Sequence, residues 1–134
     1  MTTNAMTDYL EEKILKFVLN NNSGSISAVS TVYLALFTAD PTDTGSLSNE
    51  VSSSGTAYAR QSVAFTTTNN ASTNSANVEF PAATASWGTV THIGLMDAST
   101  SGNMFFHGAL TASKAIATND IFRINAGDLD ITID

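Results

Sequence analysis

The sequence predicts an all-β fold, an antiparallel β-sandwich of jelly-roll-like or immunoglobulin-like type, with one N-terminal α-helix. One segment, within the first 20 residues, repeats its apolar residues at helical spacing. The apolar segments that follow are short, several alternate with a period of two, and turn residues separate them roughly every ten positions. The polar residues favour the same fold class, because 19 Thr, 16 Ser and 12 Asn suit exposed strand faces and turns.

Composition limits the function classes. A chain of 134 residues with 43% hydrophobic residues is long enough for one domain with its own core. Charged residues make up only 13%, the net charge is −7, and the five basic residues are scattered along the chain. Nucleic acid and anionic membrane surfaces are therefore not expected as partners. The absence of cysteine excludes disulfides, thiolate catalysis and cysteine-ligated zinc.

The helix is predicted over residues 7–19, after an arm (residues 1–6) that we expect to have no fold of its own. Thr7 is a suitable N-cap, and the acidic residues of the first turn favour the helix dipole. The apolar stripe is wide enough to cover more than one neighbour or to lie partly in an interface. It consists of Leu10, Ile14, Phe17 and Val18, widened by Tyr9, Leu15 and Leu19. Residues 1–24 are therefore predicted to be a docking or oligomerisation element, and residues 25–134 the sandwich domain.

Seven or eight short strands are expected after the helix. The strongest is 31–38, which has apolar residues on both faces and is therefore predicted to be central in its sheet. Segments 90–96 and 104–110 are expected to form a hairpin, because Gly102 and Asn103 suit the turn between them. The other expected strands are 58–65, 78–80, 113–117, 121–124 and 129–133.

Two long polar segments, 46–56 and 66–76, are predicted to be loops, either contact surfaces or solvated connectors. The adjacent Phe105 and Phe106 should point to opposite faces of their strand. The second face must then be covered by the helix, a second sheet or a neighbouring subunit. Phe105 therefore joins the helix residues as a candidate interface residue, although an ordinary two-layer interior explains the pair equally well.

Residues that could carry chemistry are few. His92 and His107 lie near the centres of the hairpin strands and could face one another, but a third metal ligand is lacking, and two half-buried, hydrogen-bonded imidazoles are expected. The C-terminal aspartates lack the spacing of a known calcium loop. Nucleophile, phosphate-binding and dinucleotide motifs are absent. We therefore predict no catalytic residue, no metal site and no cofactor.

Several segments together carry a family resemblance that covers most of the chain from the helix onward. They are residues 8–11, 32–38, 40–43, 58–65, 80–84, 86–94, 106–111 and 127–132. With these segments the chain resembles small bacteriophage virion proteins that are commonly labelled tail fibre proteins. The resemblance implies a non-enzymatic structural component of the virion, with other phage structural proteins as partners.

A fibre needs length, which a single globular domain without coiled coil or repeats does not supply. We therefore expect an accessory subunit on the particle exterior, either a capsid decoration (cement) protein or a neck or collar subunit bound to the major capsid, portal or tail proteins. The alternative within this class is the base of a tail fibre. A closed homo-oligomer, first of all a trimer, is expected. Two further classes remain open: a carbohydrate-binding receptor module that uses the polar loops and Trp87, and a small hydrolase with an unrecognised site.

Overall fold

The computed structural model describes residues 3–22 and 24–134, and its secondary structure is mostly β. It confirms the predicted class, an antiparallel all-β sandwich with an N-terminal helix. The elements are β1 (Thr3–Met6), α1 (Asp8–Leu19), β2 (Val32–Phe37), β3 (Gln61–Val63), β4 (Phe65–Thr68), β5 (Ala71–Asn74), β6 (Val78–Glu79), β7 (Gly88–Met96), β8 (Met104–Ile116), β9 (Arg123–Ile124) and β10 (Asp130–Thr132).

The largest sheet has five strands in the order β1-β8-β7-β2-β3, and every pair is antiparallel. β2 lies between β7 and β3, which confirms its predicted central position. Its apolar residues leave neither face wet: Leu34, Ala35, Leu36 and Phe37 are all fully buried. Both faces of this sheet must therefore be covered by other parts of the chain.

One face carries the main core, and the two smaller sheets, β10-β5-β4 and β6-β9, cover it. The chain passes from the large sheet to the three-stranded sheet at Ala64, between β3 and β4. An aromatic cluster fills the centre of this core, where Phe80 stacks on Tyr58 and meets Trp87 and Phe122 edge-on. The Trp87 indole N–H donates to the Thr56 carbonyl at 2.9 Å, so that its polar atom is satisfied in the interior.

The opposite face carries a smaller cluster of Ala35, Phe37, Met96 and Met104. Gly94 lies against this cluster. A Cβ at this position would lie 2.8 Å from the Met104 methyl and 3.0 Å from the Phe37 ring, so a larger residue would clash. Tyr33 and Leu47 pack against this cluster, and the helix α1 contacts the neighbouring strand β8. Phe105 meets the helix residue Tyr9, and Phe106 packs against the main core. The β7–β8 register is irregular beside them, so simple alternation of faces does not hold here.

Two expectations about the chain's course were wrong. The arm before the helix is not without structure, because Thr3–Met6 pairs with β8 as the outermost strand of the large sheet. Its four-residue sequence has no alternating pattern, and it is held in place by antiparallel pairing with β8. The predicted loop 66–76 contains most of a β-hairpin, β4–β5, whose turn places Asn69 at φ 55°. Thr and Ser suit its exposed strand faces, and Asn accepts a positive φ.

The remaining differences concern strand limits. The predicted strand 58–65 is divided at Ala64, and its first residues are irregular; 113–117 is the end of the long strand β8 instead of a separate strand. The loop 46–56 is confirmed as irregular apart from one bridge between Glu50 and Phe37.

The aromatic cluster predicts where the fold is most sensitive. Replacing Phe80, which is 2% exposed, with Ala should lower the free energy of unfolding by roughly 3–5 kcal/mol, because it leaves a cavity between three rings. Phe17→Ala is the matched control, since Phe17 is 47% exposed and its loss should change stability by about 0.5 kcal/mol or less. Urea denaturation of both variants checks this, and equal losses would contradict the assignment of the core.

Candidate docking surface

The start of α1 is fixed to β8 through Thr7, which is fully buried. Its backbone N–H donates to the Phe105 carbonyl at 3.0 Å. Its hydroxyl donates to the Met104 carbonyl and accepts from the Leu10 N–H, the N-cap bond predicted from the sequence. One side chain therefore caps the helix and binds it to the sheet.

A second attachment comes from the turn that follows β2. The Asp8 N–H donates to the Asp43 carbonyl at 2.9 Å, and the Asp43 carboxylate hydrogen-bonds His107 Nε2 at 2.9 Å. His107 lies on β8, so this turn connects the first helical residue to the sheet a second time. His92 instead bonds the neighbouring Thr91 hydroxyl, at 2.8 Å.

The histidines therefore do not face one another, because the strand register places His107 opposite Gly94 and His92 opposite Ala109. Both are half-buried and hydrogen-bonded, as expected. Among residues 3–22 and 24–134, no group of three His, Asp or Glu side chains could hold a metal ion.

The first half of α1 faces inward. Leu10 is 7% exposed, and the Tyr9 ring lies 6.3 Å from the Phe105 ring. Ile14 is half-buried. Leu10 and Phe105, both predicted interface residues, are thus used within the chain to seat the helix.

The second half of α1 presents large apolar side chains to solvent. We call this set the apolar helix end; it consists of Leu15, Phe17, Val18 and Leu19, which are 55%, 47%, 65% and 74% exposed. Phe17 and Val18 were predicted interface residues, and Leu15 and Leu19 were recognised in the sequence only as widening the stripe. Their role in an interface stays a prediction. Clusters of exposed large apolar side chains mark interaction sites in soluble proteins.

The helix ends in a fixed geometry. The Asn20 N–H donates to the Lys16 carbonyl at 3.2 Å, and the Ser25 hydroxyl donates to the Lys13 carbonyl at 3.0 Å. These bonds tie the segment after the helix back to its last turns. The apolar helix end is therefore presented on a helix whose start is bonded to β8 and whose last turns are closed by local hydrogen bonds.

A buried ion pair between Arg60 and Glu50 holds the polar loop 46–56 in place. The Arg60 guanidinium donates two hydrogen bonds of 2.8 Å to the Glu50 carboxylate, and two more to the Ala98 and Ser101 carbonyls at 2.8 and 2.7 Å. Burial lowers the pKa of Arg60, but the hydrogen bonds and charge of Glu50 outweigh it and raise that pKa overall. Through these four hydrogen bonds, Arg60 joins loop 46–56 to the turn 97–103.

The Tyr58 phenol also hydrogen-bonds this ion pair. Its hydroxyl donates to the Glu50 carboxylate at 2.8 Å and accepts from the Leu36 N–H at 3.0 Å. Burial and the Glu50 charge raise the pKa of Tyr58. A cavity of about 280 Å³ lies above this network, between loop 46–56 and the turn 97–103. Trp87 is 4% exposed and does not reach it.

Comparison with known proteins decides the family. The family model described as Podophage GP4 fiber I protein gp80 matches residues 5–132. The chain belongs to this family. It is therefore a bacteriophage structural protein of the fibre type and a component of the virion, which confirms the resemblance seen in the sequence. No curated protein matches the chain. Within the described part of the chain, no helix is long and apolar enough to cross a membrane.

Removal of the Thr7 hydroxyl should loosen the helix. We expect Thr7→Ala to lower the free energy of unfolding by about 1–2 kcal/mol, because the cap and a bond to β8 are lost together. Amide hydrogen exchange at Leu10 and Glu11 should accelerate. Thr7→Ser keeps the hydroxyl and should retain slow exchange; fast exchange in both variants would show that the hydroxyl does not anchor the helix.

The ion pair under loop 46–56 gives a further prediction. Arg60→Met leaves the Glu50 carboxylate without its partner, and we expect a loss of roughly 3–5 kcal/mol in urea denaturation. The double variant Glu50→Gln/Arg60→Met should lose less, since no unpaired charge remains. A double variant less stable than Arg60→Met would contradict this account.

Proposed function

We propose that this protein is a non-enzymatic accessory subunit on the exterior of the phage particle, which attaches through the apolar helix end. The observation that carries the proposal is the contrast within α1. The apolar side chains of its first half pack within the chain, whereas four large apolar side chains of its second half are exposed to solvent.

The energetics support attachment at this place. Each large apolar side chain contributes roughly 1.5–3 kcal/mol when it is fully removed from water. The four side chains are 47–74% exposed, so docking gains only that share of the full value. Together they offset part of the cost of association, which is on the order of 4–15 kcal/mol. Because the helix is already formed and its start is bonded to β8, little additional ordering is required when it binds.

The expected place of this subunit is the capsid surface, as a decoration or cement protein, or the neck or collar. The physical reason is that the described sandwich contains neither a coiled coil nor repeats, the features that give a fibre its length. The description of the family as a fibre protein favours a second place, the base of a tail fibre. Antibody or gold labelling of the protein on intact particles distinguishes these places directly.

A carbohydrate-binding receptor module is the second candidate function. Its support is the cavity between loop 46–56 and the 97–103 turn, where hydroxyl side chains such as Ser53, Ser99 and Thr100 line the wall. The buried position of Trp87 and Tyr58 argues against it, because glycan sites use exposed aromatic faces and both rings pack in the core. A glycan array decides the point: specific binding that is lost on mutation of Ser99 and Thr100 would support this function over attachment alone.

Attachment is tested by point substitution, because truncation before residue 20 would also remove β1 and expose the sheet edge. We expect Val18→Glu/Leu19→Glu to fold normally and to fail to bind particles that lack the protein, since two carboxylates would enter an apolar contact. Co-sedimentation with such particles is the measurement. Ile133→Glu is the matched control, because Ile133 is 45% exposed outside the helix and should bind normally. Normal binding by the helix variant would overturn the proposal.

A further inference from the structure

Most of the exposed side chains of α1 share one side of the helix, which we call the outer face. Tyr9 and Leu10 pack within the chain, and Lys13 and Ile14 beside them are half-buried. The outer face is formed by exposed residues at positions i, i+3, i+4, i+7, i+10 and i+11, which are Asp8, Glu11, Glu12, Leu15, Val18 and Leu19. It is therefore acidic along the first half of the helix and apolar along the second.

The carboxylates of the outer face are only partly neutralised. Glu12 is paired with the Lys16 ammonium, whose hydrogen bond and charge lower the pKa of Glu12. Lys13, the other cation of the helix, lies over the ring of the tyrosine one turn before it, with its Nζ 5.5 Å from the ring centroid. Within residues 3–22 and 24–134, Asp8 and Glu11 have no basic side chain at ion-pair distance. These two carboxylates are therefore available to a partner.

The turn after β2 enlarges the acidic region. The Asp8 N–H donates to the Asp43 carbonyl, so this turn lies against the start of the helix. The side chains of Asp40 and Asp43 are 54% and 62% exposed. In the part of the chain that the structure describes, the basic side chain within ion-pair distance of either one is His107. The start of the outer face is thus its negatively charged end.

The helix dipole explains part of this charge, because carboxylates in the first turn, such as Asp8 and Glu11, stabilise a helix. The dipole does not require that apolar residues continue the same face. Glu11, Leu15 and Leu19 follow one another at intervals of four residues, and one helical turn advances about 5.4 Å. A partner that covers the apolar helix end therefore comes within about one turn of the Glu11 carboxylate.

The outer face of a second copy does not match this surface. Two such faces bring carboxylates together when the helices are parallel, and like charges in a contact are unfavourable. When the helices are antiparallel, carboxylates lie on apolar side chains and lose water without gaining a partner. The net charge of −7 also opposes approach of two copies.

We propose that the apolar helix end docks into a groove of another phage structural protein, which has an apolar floor and Lys or Arg side chains where it receives the start of α1. This rests on the proposed function and names the chemistry of the partner at the same site. Leu15, Val18 and Leu19 have the spacing of anchors in helix-in-groove recognition. Asp8 and Glu11 pair with the basic side chains, which fixes the direction of the helix and accelerates association.

Removal of the two available carboxylates tests the proposal. The carboxylate variant Asp8→Asn/Glu11→Gln keeps the shape of both side chains. Its matched control is Asp128→Asn/Asp134→Asn, which removes two exposed carboxylates outside the helix. Labelled protein is titrated onto particles that lack it, at about 0.05 M and at about 0.5 M salt, where surface charges are largely screened.

The carboxylate variant should bind roughly three- to tenfold more weakly than the native chain at low salt, because two exposed ion pairs are lost. At high salt the two proteins should bind equally. The control should bind as the native chain does at both salt concentrations. Circular dichroism checks that the carboxylate variant keeps its helix. If it does not, Glu11→Gln alone should still weaken binding at low salt, by roughly two- to threefold.

Three results would overturn the proposal. The first is equal binding of the native chain and the carboxylate variant at low salt. The second is an equal loss in the control, which would show an effect of net charge alone. The third is a native oligomer in light scattering that Val18→Glu/Leu19→Glu dissociates, because a second copy would then cover the face.

Failure of this inference is distinguishable from failure of the proposed function. If Val18→Glu/Leu19→Glu fails to bind particles while the carboxylate variant binds as the native chain does at low salt, the basic groove is refuted and attachment through the apolar helix end stands. Normal binding by Val18→Glu/Leu19→Glu overturns both.

Discussion

The fold depends on one constraint, the burial of both faces of the five-stranded sheet. The central strand β2 has four consecutive buried residues, so that neither face can be left to water. The two small sheets cover one face, and Tyr33 and Leu47 pack against the cluster on the other. The helix is joined to β8 by the Thr7 hydrogen bonds and the Tyr9–Phe105 contact.

The same constraint accounts for the exposed surface. The sheet needs only the first half of α1, because the contacts with β8 are concentrated around Thr7, Tyr9 and Leu10. The second half extends beyond them and still carries four large apolar residues. Packing within the chain does not require these exposed apolar residues. Membership in a family of phage fibre proteins implies association with other phage structural proteins. Attachment through this part of the helix is the function that the geometry supports best.

The sequence predicted the features that rest on apolar periodicity. The helix, its Thr7 cap and the interior position of strand β2 all follow from spacing and steric rules. It did not predict β1 or the hairpin β4–β5, because their short strands lack an apolar alternation and are stabilised by backbone pairing with a neighbour that only the fold supplies. Arg60 was also missed as a structural centre. A single arginine in a strand has no local signal, and its partners Glu50, Ala98 and Ser101 come from distant loops.

The central claim is that the apolar helix end is covered in the virion. The most direct measurement is hydroxyl-radical footprinting, comparing oxidation of Phe17 and Leu19 in the purified protein with oxidation in intact particles. The account predicts strong labelling in the free protein and protection in the particle, with Ile133 labelled equally in both. Equal labelling of Phe17 and Leu19 in the two states would contradict it.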